Sequence, residues 1–181
     1  MRLKERYNKE IKSVLREQFA FKNENLIPKL EKVTINVGVG KSSKEKEFLA
    51  SVARGLEKLS GQKAVFTLAK KSISAFKVRE GMTVGVKVNL RGQRMYDFVE
   101  KLVGITFPRV RDFRGIDEKI VDRSGNMTIG FKEYGAFPEI KVEDIDSMFG
   151  LEVCVSSTAR NKEEGLALYR ALGFPFKKNN K

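Results

Sequence analysis

The chain has 181 residues, 41% of them hydrophobic, enough to bury a core of its own and to exclude a wholly disordered polymer. Lys and Arg number 36 against 23 Asp and Glu, a formal net charge of +13 that calls for a polyanionic partner. With no His and one Cys, imidazole-based catalysis, an internal disulfide and a thiolate-rich zinc site are excluded, so the expectation is a non-enzymatic protein with no cofactor and no metal.

Leu3, Tyr7, Ile11, Val14, Leu15 and Phe19 recur at helical spacing between charges, which predicts an amphipathic helix over 3–19. Next, KVTINVGVG alternates: Val33, Ile35, Val37 and Val39 fall on one face, Thr34, Asn36 and Gly38 on the other, as in a strand with one apolar side. Ser42 or Ser43 then caps a helix over roughly 44–60, with Phe48, Leu49, Val52, Leu56 and Leu59 inward and Gly61 as its stop. A second strand is expected from Lys63 to Ala69, then a basic loop to Met82. A third strand, TVGVKVNLR, places Val84, Val86, Val88 and Leu90 opposite Thr83, Gly85, Lys87, Asn89 and Arg91.

A helix follows from Gln93 to Val103, and ITFPRVRDFRGID reads as an irregular basic loop. Strands are expected around Lys119–Val121, Asn126–Phe131 and Leu151–Ser156. Asn161 and Glu164 then resemble a capping box that opens a last helix through Leu172, closed by Gly173 and Pro175. One-sided strands alternating with amphipathic helices predict an α+β two-layer sandwich with a mostly antiparallel sheet. Helices cover one face. The other, carrying Thr34, Asn36, Thr67, Lys87, Asn89 and Arg91, is left open as an RNA-binding face. The chain is expected to be a single domain over 1–181 with protruding basic loops at about 70–82 and 106–117. Its amino terminus is too charged for a signal peptide and no apolar run approaches the ~18 residues of a membrane span, so the expected location is the cytoplasm, with no membrane partner.

The charge is unevenly placed: residues 61–94 carry eight basic side chains and a single acid, Glu80. A solvated face usually mixes its signs, so this run reads as a surface for phosphates. Gly40-Lys41-Ser42 resembles the end of a phosphate-binding loop, but the required glycine is replaced by Ile35, and a third dinucleotide-site glycine is replaced by Ser43. A tight turn into a helix accounts for it. Cys154 reads as a small, partly buried strand residue. Glu139, Glu143, Asp144 and Asp146 form an acidic patch whose spacing fits no calcium loop. Phe76, Phe107 and Phe113 lie in basic loops, where each is either an anchor or a surface for stacking.

Long ordered stretches carry a resemblance. LEKVTINVGVG (30–40), LEKLSGQKAVFTLAKKS (56–72), KSISAFKVREGM (71–82), VNLRGQRMYDF (88–98), FPRVRDFRGID (107–117), FPEI (137–140) and ALGFPFKK (171–178) are similar to the universal large-subunit ribosomal protein L-five family. The resemblance implies a structural constituent of the large subunit that binds 5S rRNA and attaches it in the central protuberance. It further implies contacts with 23S rRNA, other central-protuberance proteins, P-site tRNA and a small-subunit head protein at an intersubunit bridge. On this sequence it puts Asn36, Gln62, Thr67 and the Asn89–Arg91 stretch against 5S rRNA, and Lys63 and Lys87 belong with them. Lys70, Lys71, Ser72, Lys77 and Arg79 would reach tRNA. Arg109, Arg111 and Arg114 would lie near the bridge. Two positions depart from the family pattern, Asn89 in place of Thr and Tyr134 in place of Gln. A general RNA chaperone or regulatory RNA binder would use the same basic surface without a ribosome.

Overall fold

The amino-terminal segment forms one helical rod in three pieces: α1 (Leu3–Arg6), a π turn (Tyr7–Ile11) and α2 (Lys12–Phe19). The computed structural model describes residues 2–40, 45–140 and 148–177. Leu3, Tyr7, Ile11 and Leu15 are buried at a constant spacing of four. In a regular α-helix that spacing would rotate the stripe by about 40° at each step. The i→i+5 bonds of the π turn unwind the backbone and keep the four side chains in line. Val14, expected inward, is 54% exposed because the unwound stripe runs through Leu15 instead.

A second rod joins α4 (Gly92–Lys101), a π turn (Leu102–Thr106) and α5 (Phe107–Arg109). The helix does not end near Val103 in an irregular loop from 106, as expected, but continues to Arg109. Proline cannot donate a backbone hydrogen bond and crowds the carbonyl four residues earlier, but the wider π turn directly precedes Pro108 and relieves that crowding. Phe107 is buried there.

The strands β1 (Leu30–Gly38), β2 (Val65–Leu68), β3 (Thr83–Leu90), β4 (Met127–Phe131) and β5 (Leu151–Ser157) form one open antiparallel sheet in the order β2-β3-β1-β5-β4. The α+β class follows. The strand expected at Lys119–Val121 is instead a 3-10 turn, Glu118–Ile120, with one isolated bridge from Val121 to Met127. The Asp122 carboxylate accepts the N–H groups of Ser124 (2.9 Å) and Asn126 (2.8 Å), so the chain turns before a ladder can extend.

The chain divides into two units, one of Met1–Val33, Arg91–Ile129 and Cys154–Lys181, the other of Thr34–Leu90 and Gly130–Val153. In the first, α1 packs on α4 and α2 on α6 (Lys162–Leu172). The Tyr7 hydroxyl donates to Pro28 O (2.9 Å) and the Arg6 guanidinium to Ala171 O (2.8 Å). The start of α6 is as expected: Asn161 Oδ1 accepts the Glu164 N–H (2.8 Å), and the Glu164 carboxylate accepts the Arg160 N–H (2.9 Å). Tyr169 is buried and donates to Gly125 O (2.9 Å).

In the second unit α3 (Lys46–Ser60) packs on β3, burying Val52, Leu56 and Leu59. Phe48 and Leu49, expected inward, are only half-buried, since the packed stretch begins at Ser51. The residues proposed to cap this helix, Ser42 and Ser43, lie outside the described residues. Tyr134 is buried with its ring 4.9 Å from that of Phe149, so it is a core anchor.

Candidate nucleic-acid interface

The polar face of β1, β2 and β3 is built by register. The Val39 N–H donates to Val84 O (3.0 Å), which in an antiparallel ladder sets Asn36 opposite Lys87 and Thr34 opposite Asn89. On the other side of β3, Val65 faces Lys87 and Thr67 faces Gly85. Thr34, Asn36, Thr67, Lys87 and Asn89 therefore share one surface, while Ile35, Val37, Val86 and Val88 are buried beneath. The Thr34 hydroxyl donates to Asn89 Oδ1 (2.8 Å), which leaves the Asn89 amide N–H groups for a partner. Val65, 57% exposed, is the apolar member of the face.

Asn36, Thr67 and Lys87 are half-buried, and among the described residues none of their side chains makes a hydrogen bond or an ion pair within the chain. Groups held on a rigid sheet with their bonding capacity unspent are prepared for a polar ligand. Gln62 differs: after the left-handed Gly61 that ends α3, its Nε2 donates to Asn89 O (3.0 Å) and so secures the end of β3. Lys63 is exposed. Arg91 is extended and exposed just past the face. The strand ends at Leu90, and Arg91 is the residue before α4, its guanidinium 3.7 Å from the Glu31 carboxylate.

The 70–82 segment is a small tongue. Ile73 and Val78 exchange backbone bonds (2.9 and 3.2 Å), and the left-handed Lys77 turns the chain between them. Ser72 is engaged internally, its hydroxyl accepting the Glu80 N–H (2.9 Å). Lys70, Lys71, Lys77 and Arg79 are exposed, and Phe76 at the tip is 74% exposed, so of the three loop phenylalanines it alone is free to stack. Lys70, Lys71 and Lys77 line an open cleft of ≈ 1510 Å³ together with apolar residues that include Val39, Phe48, Ile73 and Met148.

In the other unit, Arg109 is exposed at the end of α5, and Arg111 and Arg114 are exposed on the loop after it, which is fastened at both ends. The Phe113 ring stacks on Phe107 at 5.2 Å, and Ile116 exchanges backbone bonds with Pro175 and Lys177. Phe107 and Phe113 are anchors.

Several sequence features fall elsewhere. Ile35 is fully buried in β1, so the glycine a phosphate-binding loop needs is absent there; Lys41, Ser42 and Ser43 lie outside the described residues, as do Glu143, Asp144, Asp146 and the basic tail from Lys178. Cys154 is half-buried in β5 as expected. The residue missed by pattern is Gly85. Glycine in the middle of a strand was the available signal, because it forfeits packing there.

Residues 23–79 match the sequence profile of ribosomal protein L5, and residues 83–176 match that of the ribosomal L5 family C-terminus. The large ribosomal subunit protein uL5 of Fervidobacterium nodosum is 50% identical over 176 residues, covering 97% of this chain and 96% of that protein. The large ribosomal subunit protein uL5 of a Marinomonas species is 46% identical over 177 residues, covering 98% and 99%.

Proposed function

The chain belongs to the ribosomal protein L5 family, and from that premise we propose that it holds 5S rRNA on the open polar face of β1, β2 and β3. Members of this family are structural, non-enzymatic proteins of the large ribosomal subunit. One observation carries the reading: Asn36, Thr67 and Lys87 stand together on a rigid sheet with no partner among the described residues. Asn36, Thr67 and Asn89 supply amide and hydroxyl groups for sugar and base edges. Lys63 and Lys87 neutralise phosphates, and Gln62 holds the end of β3 in place beside them.

The tongue at 70–82 is proposed to meet P-site tRNA through Lys70, Lys71, Lys77 and Arg79, with Phe76 available to stack. Ser72 supports the tongue from within. Arg109, at the end of α5, and Arg111 and Arg114, on the loop fastened by Phe113 and Ile116, are proposed to face a small-subunit head protein. 23S rRNA and neighbouring central-protuberance proteins complete the surroundings, in a ribosome-associated, cytoplasmic setting.

Filter binding of 5S rRNA and of an unrelated structured RNA, each at two salt concentrations, tests this. Preference for 5S rRNA at both salts is expected, and Lys87→Ala lowers the log–log salt slope by about 0.7–0.9 for each phosphate that the lysine neutralises. Equal binding of the two RNAs would favour a general RNA chaperone.

A further inference from the structure

β2 stands at one edge of the sheet, hydrogen-bonded to β3 alone. In an antiparallel pair, alternate residues turn their backbone N–H and C=O groups away from the partner strand, so an edge strand offers a half-used ladder. Here three of its four residues are large and apolar: Val65 is 57% exposed, Phe66 45% and Leu68 57%. Val65 alternates to the polar face. Phe66 and Leu68 alternate to the opposite side, where α3 packs on β3 and leaves both in contact with solvent.

The charges at the two ends of β2 decide what can pair there. Lys63 precedes the strand and Lys70 follows it; both are exposed, and neither has an ion-pair partner among the described residues. A second copy adding antiparallel about the strand centre would bring Lys63 of each chain beside Lys70 of the other, and like charges set opposite each other destabilise a strand pair. The formal net charge of +13 adds to that repulsion. RNA would answer the lysines, but it has no repeating backbone amides to continue the ladder and no aliphatic side chains to cover Phe66 and Leu68. An extended acidic segment of another protein answers all three. We propose that the free edge of β2 is a docking site for such a segment, which adds to the sheet as a further strand. It sets alternate apolar side chains against Phe66 and Leu68 and acidic residues beside Lys63 and Lys70. Because Lys63 is also proposed to meet 5S rRNA, this is a partner of the chain while it is free of RNA. The site lies at the edge of the sheet and does not depend on which RNA the polar face holds.

The full chain is titrated with a fluorescently labelled peptide, DETVTVTED, whose valines share one side of an extended strand and whose ends are acidic. The controls are DETVPVTED, in which proline removes a ladder donor, and the basic KKTVTVTKK. Saturable binding of the first peptide alone is expected, weakening with added salt, and amide hydrogen exchange should slow across Val65–Leu68 when it binds. Phe66→Thr and Leu68→Thr keep a strand-forming residue but remove the apolar contact, so each should bind the acidic peptide about two- to fivefold more weakly. Lys63→Glu together with Lys70→Glu should exchange the preference, so that the basic peptide binds and the acidic one does not. All four residues are exposed, and circular dichroism checks that each variant keeps the fold; if one does not, the proline control on the unsubstituted chain decides the matter. Absence of saturable binding, equal binding of the proline peptide, unchanged affinity in the variants or slowed exchange only at other strands would overturn the proposal. So would 5S rRNA slowing the same amides and binding more weakly to Phe66→Thr and Leu68→Thr, since the edge would then belong to the RNA surface.

Discussion

Asn36→Ala and Gln62→Ala separate binding from folding, because the two amides are used differently inside the protein. Asn36 makes no hydrogen bond to the described residues, so its truncation removes no internal bond of that kind. At a half-buried strand position this should change stability by less than about 0.5 kcal/mol. Gln62 donates to Asn89 O at 3.0 Å, and removing that bond should cost about 0.5–1.5 kcal/mol. For a chain of this length each kcal/mol moves the melting temperature by roughly 2–4 °C, so Gln62→Ala should melt about 1–6 °C lower while Asn36→Ala stays within about 2 °C. Against 5S rRNA both should lose about 1–3 kcal/mol, or roughly 5- to 150-fold, Asn36→Ala because an interface amide leaves polar partners unpaired and Gln62→Ala because the end of β3 that it holds beside the face is released. Thermal melting by circular dichroism and filter binding on the same preparations give the two numbers for each variant. Wild-type binding by Asn36→Ala would refute the face assignment. So would a loss of stability in Asn36→Ala large enough to account for its weaker binding.

Three further outcomes are expected. Gly165→Ala should destabilise the fold by roughly 1–3 kcal/mol in urea unfolding, because the new Cβ would lie 2.6 Å from Gly125 Cα and 2.8 Å from Gly125 O, backbone atoms that cannot swing aside; an unchanged midpoint would show that α6 moves away without cost. Burial pushes the hydroxyls of Tyr7, Tyr96 and Tyr169 above their ordinary value, so these groups favour the folded state fully below about pH 10, and that contribution is lost as pH rises further. With no Trp in the chain, tyrosinate absorbance reports this directly, and it should rise together with loss of the fold; ionisation of every Tyr near pH 10 in an intact protein would contradict it. Neutralising Lys71, Lys77 and Arg79 together should leave 5S rRNA binding within about threefold, since the tongue is apart from Asn36, Thr67 and Lys87 in its own bonding, yet speed P-site tRNA dissociation from reconstituted ribosomes. Loss of 5S rRNA binding in that variant would move the tongue to the 5S surface.

Local order determined much of this protein from the sequence alone. The alternation of Val33, Ile35, Val37 and Val39, and of Val86, Val88 and Leu90, is enough to say which side of β1 and β3 is buried, because strand periodicity is set residue by residue. The Asn161–Glu164 cap and the Gly173 stop were legible for the same reason: their partners are three or four residues away. Tertiary structure decided the rest. Whether the first helix turns at 3.6 residues throughout or opens into a π turn depends on what Tyr7 and Ile11 pack against, and the exposure of Val14 follows from that choice. Pro108 reads as a helix end until the π turn before it is seen. Thr67 and Asn36 lie 18 and 49 positions from Gly85, and only the register of β2 and β1 against β3 sets Thr67 Oγ1 and Asn36 Oδ1 within 4 Å of where a side chain at Gly85 would begin, because strand pairing is fixed by the burial of whole faces and not by any neighbouring residue.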